Sequence, residues 1–88
     1  MRVVMFGTDR HAHIWGLRNG VARKNIKLAT NPDVVEFIRG EKELTIVRVP
    51  AVMWVPPSFP CEQRAKDSER AIRARKEQGV TITEVKLQ

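Results

Sequence analysis

Asp9, His11 and His13 lie close together just past a short apolar segment. Two imidazoles and a carboxylate form a set that can bind a divalent cation and activate water. On an extended chain positions 11 and 13 share a face, so such a site requires this stretch to be a strand. These two are the only histidines, so the set cannot be completed by another. We therefore read them as surface or partner-facing side chains and assign no metal. Cys61 is the single cysteine, which rules out an intramolecular disulfide and a thiolate zinc cluster. Its position near a helix start would favour thiolate, but a packing role fits a lone cysteine better. No glycine-rich phosphate loop is present, and no nucleophile has a recognisable base and orienting acid. The expectation is a protein that is not an enzyme and carries no cofactor.

The second chemical feature is charge. The chain has 16 Lys and Arg against 10 Asp and Glu, for a net charge of +6. The excess is concentrated early, where Arg10, Arg18, Arg23, Lys24 and Lys27 are separated by no acidic residue. Phosphate binding needs several cations on one surface, and base stacking needs an exposed ring. Trp15 lies among the cations and can stack on a base or pack beneath them. These six residues make the leading expectation a small, basic, non-enzymatic nucleic-acid-binding domain that contacts phosphates through residues 10–27. The alternative is a protein-binding inhibitor or adaptor module. It would dock on an acidic surface of a larger complex, or pair through an edge strand with a partner or with a second copy as a homodimer. Phe59, in a proline-bounded loop, is a further contact under that alternative.

Several elements have to position these residues. Residues 2–6 are valine-rich and predict a strand. Two readings compete for residues 10–24. Asp9 can cap a helix with Ile14, Leu17 and Val21 on one face, weakened by Gly16 and Asn19. Alternatively Asn19-Gly20 is a two-residue hairpin turn between strands at about 11–18 and 21–28. The hairpin is favoured, because both turn residues tolerate positive φ. It places His13, Trp15 and Leu17 on one face.

Asn31-Pro32-Asp33 has the composition of a helix start, and Gly40 that of a helix end, so a short helix is expected between them. Leu44–Val55 is the longest run of strand-favouring residues and is apolar on both faces, which predicts an inner strand with a bulge or an edge at Pro50. The prolines at 56, 57 and 60 forbid a ladder and lead into a long helix over about 61–78. Its narrow stripe is Cys61, Ala65, Ser68, Ala71 and Ile72. On its outer face Glu62 with Lys66, and Glu69 with Arg73, are spaced for ion pairs. Residues 80–87 alternate as a half-exposed edge strand that succeeds the central one through a right-handed parallel crossover.

The fold class is therefore α+β. One domain over residues 1–88 is expected, with a mixed sheet of about four to five strands, one short helix and one long helix. A hydrophobic content of 42% with 30% charged residues suits a globular chain. The opening MRVVMF is too short and too strand-like for a signal peptide, and no apolar run approaches the roughly 20 residues of a membrane helix. With the single cysteine, this gives a cytoplasmic expectation and no membrane partner.

Overall fold

The computed structural model describes residues 1–88. The α+β class and the single sheet hold. The sheet has four strands, β1 (Arg2–Phe6), β2 (Ile26–Leu28), β3 (Glu43–Arg48) and β4 (Thr81–Lys86), in the order β2-β1-β3-β4. Every neighbouring pair is parallel, so the sheet is not mixed. Parallel neighbours need a crossover, and each is supplied by a helix: α1 (Asp9–Asn19), α2 (Val34–Ile38) and α3 (Cys61–Glu77).

The hairpin expected over residues 11–28 does not form. Residues 9–19 are helical, and Asn19-Gly20 ends the helix instead of reversing a strand. Gly20 has φ of +67°, the left-handed conformation that both a helix C-terminus and a hairpin turn require. At the other end, the Thr8 hydroxyl accepts from the His11 N–H, and His11 Nδ1 accepts from the Thr8 N–H at 3.1 Å. This is a capping box in which an imidazole replaces the usual glutamate.

Alternation along the strands divides the core in two. Val3 and Met5 of β1 pack with Ala12 and Trp15 of α1, Ile26 of β2, and Val47 and Val49. Val4 and Phe6 face the other way, into Phe37 and Ile38 of α2, Ile72 of α3, and Leu44 and Ile46 of β3. α1 thus covers one face of the sheet, and α2 and α3 cover the other. This is the arrangement that right-handed crossovers give when the strand order reverses.

The expected stripe of α3 is found. Ala65, Ser68 and Ile72 are buried, and the Ser68 hydroxyl donates to the Ala29 carbonyl at 2.6 Å. The short helix α2 starts after a turn in which Asn31 Oδ1 accepts from the Asp33 N–H at 2.8 Å. The central strand is shorter than expected. It ends at Arg48, and Pro50 begins a turn closed by bonds from the Met53 and Trp54 N–H groups to its carbonyl. With no amide hydrogen at Pro50, the ladder stops instead of bulging.

Gly16 shows how closely α1 sits on the sheet. A Cβ there would lie 2.8 Å from the Val21 carbonyl oxygen and 3.0 Å from Ile26 Cδ1. In an exposed helix, Gly→Ala gains about 1 kcal/mol. Gly16→Ala is expected to lose about 1–3 kcal/mol instead, because backbone must move to admit the methyl group. Urea unfolding monitored by tryptophan fluorescence measures the sign.

Candidate functional site

Parallel strands place all their carboxyl ends on one side of the sheet. Ligand crevices in such sheets lie where the strand order reverses, here between β1 and β3. β1 leaves the sheet through Gly7 and Thr8, and β3 leaves through Val49 and Pro50. The two exits are in contact, since a Cβ on Gly7 would fall 2.6 Å from Val49 Cγ2. The start of α1 is occupied by its own capping box, and its first turn carries Asp9. That acid makes an ion pair with Arg23, which also donates to the Ile26 carbonyl. A closed crevice, a self-capped helix and a first-turn carboxylate are not the parts of a phosphate cradle.

The histidine pair separates. Residues two apart on a helix point about 200° from one another, so His11 and His13 do not converge. His11 Nδ1 is engaged by Thr8, and Asp9 by Arg23. No group of three or more His, Cys, Asp or Glu side chains is placed to hold a metal.

The basic segment is also redistributed by its change from strand to helix. Arg10 and Arg18 are exposed on α1. Arg23, Lys24 and Lys27 gather at the β2 edge around an open depression of about 430 Å³ that includes Asp9 and Asn31. Lys27 points to the sheet face opposite α1 and sits 5.4 Å from the centre of the Phe37 ring. Trp15 is only 9% exposed and packs in the core under α1, so it offers no stacking platform at the surface. Arg10, Arg18, Lys24 and Lys27 have no carboxylate within 4.0 Å, whereas Arg23 does.

Two features depart from the sequence reading, which runs a strand to Val55, makes Phe59 alone a loop contact and gives Arg48 no role. The first is the segment after β3. Val52, Met53, Val55 and Phe59 are 95%, 60%, 62% and 80% exposed, in a loop framed by Pro50, Pro56, Pro57 and Pro60. One side of this loop closes a groove of about 520 Å³ against α1 and β4. Ile14, Val49, Met53, Val85 and Leu87 line it, with His11 and Arg18 on the rim. The other side meets α3 at a second groove of about 400 Å³ that includes Phe6, Trp54, Val55 and Ala65. The detectable signal was apolar residues between prolines that prevent them from pairing as strand.

The second feature is Arg48, at the end of β3. Its guanidinium donates to both oxygens of Glu69 on α3 at 2.9 and 2.8 Å, and to Glu84 Oε1 on β4 at 3.2 and 3.0 Å. It also lies 4.5 Å from the centre of the Phe6 ring. The bonds to Glu69 raise its pKa above the ordinary arginine value, burial opposes them, and Glu84 adds to the rise. Glu69 is therefore committed to Arg48 and not to Arg73. The expected Glu62–Lys66 pair is present at 3.3 Å.

Comparison of the chain with protein-family models, with curated proteins and with solved structures finds no match. The site has to be read from its own geometry.

Arg48→Ala leaves two carboxylates facing a half-buried space. It is expected to cost about 1–3 kcal/mol in urea unfolding. Glu69→Gln, which breaks the two-oxygen contact, should cost more than Glu84→Gln, and equal losses would contradict the ranking. Arg23→Ala should destabilise more than Lys24→Ala, because Arg23 bridges Asp9 of α1 to the Ile26 carbonyl and Lys24 pairs with no carboxylate.

Proposed function

We propose that this chain is a non-catalytic protein-binding module. Its ligand is an acidic segment with apolar anchors, held in the groove between α1 and the loop after β3. The observation that carries this reading is Met53, 60% exposed in a proline-framed loop, lining one groove with Ile14, Val49, Val85 and Leu87. Large apolar side chains clustered at a surface mark interaction sites more often than scattered ones do. Burying each against a partner contributes about 1.5–3 kcal/mol, so a few anchors support micromolar binding after the costs of association. The proline framing holds the loop in few conformations, which lowers the entropy lost on docking. The acidic character of the partner is inferred from the net charge of +6 and from Arg18, which stands unpaired on the groove rim.

A peptide-display selection against the purified chain tests this. Peptides with an acidic residue beside apolar anchors are expected to enrich, and their affinity should fall about tenfold or more in Met53→Asp. An Arg18→Glu variant should lose the acidic preference. Enriched peptides that bind Met53→Asp as well as wild type would exclude the groove.

Nucleic-acid binding is the second reading, favoured by Arg23, Lys24 and Lys27 surrounding one depression. With Arg10 and Arg18 they are spread over α1, the β2 edge and the opposite sheet face, so phosphates would have to pass around the edge. This reading predicts oligonucleotide binding whose log–log salt slope drops by about 0.7–0.9 for each cation removed. Anisotropy with the Arg23→Ala/Lys24→Ala variant separates the two readings: peptide binding should be unchanged, and any oligonucleotide binding should weaken for all sequences alike.

A further inference from the structure

β4 is an edge strand, paired on one side with β3 and on the other with nothing. The N–H groups of Thr81 and Leu87 donate inward, to the carbonyls of Lys42 and Arg48. Backbone direction alternates along a strand, so the N–H and C=O groups of Ile82, Glu84 and Lys86 face outward. β2, the edge at the other side, is only three residues long.

We propose that β4 pairs antiparallel with β4 of a second copy, about a twofold axis through Val85, to make one continuous sheet. The outward-facing residues leave few registers. In this one, Glu84 of each copy lies opposite Lys86 of the other, as a hydrogen-bonded pair, and the arrangement occurs twice by symmetry. Val85 meets its own counterpart across a non-hydrogen-bonded pair, and Thr83 meets Leu87. Moving the axis one residue toward the N-terminus puts Glu84 against Glu84. Moving it one residue the other way puts Lys86 against Lys86. A further step, to an axis through Thr83, leaves both charges without a partner. Charges on an edge strand ordinarily guard it against pairing. Here their order admits one register and penalises its neighbours.

Val85 and Leu87 are half-buried on the α1 side of the sheet, beyond the reach of that helix, and the pairing carries this apolar strip across to the second copy. Val85 and Leu87 also line the peptide groove, but the pairing itself is made by the main-chain edge, so either proposal can fail alone.

The first experiment is sedimentation equilibrium of the full chain. Wild type is expected to be a dimer in a concentration-dependent equilibrium. Lys86→Glu and Glu84→Lys each create two like-charge oppositions and should weaken association about tenfold or more. Mixing these two variants should restore a dimer, because every opposed pair is then of unlike charge. Glu84→Lys also disturbs Arg48, so a second measurement is independent of it. In a Cys61→Ser background, Val85→Cys should form an intermolecular disulfide on mild oxidation, since directly opposed Cβ atoms lie about 4.5–5.5 Å apart. Thr83→Cys should not, because its counterpart is four residues away along the strand, roughly 13 Å. A wild type that stays monomeric overturns the proposal. So does a dimer indifferent to Lys86→Glu, or equal crosslinking at positions 83 and 85.

Discussion

The structure depends on burying β1 from both sides. Its residues alternate strictly, with Val3 and Met5 toward α1 and Val4 and Phe6 toward α2 and α3, and all four are almost wholly excluded from solvent. A parallel strand can be buried this way only if helices lie on both faces of its sheet. In 88 residues the chain places two helices on one face and one on the other. α1 reaches over β1 and β2, but not over β4. Thr83 is left exposed and Val85 and Leu87 half-covered as a direct result, and the latter two form one wall of the groove beside α1.

Much of this was legible because local chemistry and tertiary demand agree. The Asn31-Pro32-Asp33 start, the small-residue stripe of α3 and the alternating last strand each have one good local solution, and the fold uses it. Residues 10–20 have two. Asn19-Gly20 satisfies a hairpin turn and a helix end equally, because both require a residue with positive φ. What decides between them is distant. Gly16 has to approach the Val21 carbonyl and Ile26, and only a helix brings a glycine there. The capping box was also hidden, since histidine stands in its glutamate position. The run from Val49 to Val55 misled for the opposite reason. Its strand propensity is real, but propensity measures fit to neighbouring strands, and past Pro50 there are none to fit.

The change from strand to helix period explains why little of the chemistry expected from the sequence converges. A period of two puts His11 beside His13, and Trp15 among exposed cations. A period of 3.6 turns the histidines apart and sends Trp15 into the core. The cations persist, but they are carried on three different elements. Arg48 was the least visible. In the sequence it interrupts an apolar strand, and its partners are 21 and 36 residues away. No spacing rule connects them, because the crossover that brings them together is a property of the whole sheet.

Arg48 also sets how the molecule comes apart. It is the one side chain of β3 that hydrogen-bonds to both α3 and β4, and β4 has no other strand to hold it. Opening at this end breaks that network together with the six-residue β3–β4 ladder, and lifting α3 also uncovers Val4 and Phe6 of β1. Amide exchange is therefore expected to be slowest in β1 and β3, which are paired on both sides, and faster at the two edges. The sheet thus has a gradient of persistence from its inner strands outward, and the three-residue β2 is the more lightly held of its two edges.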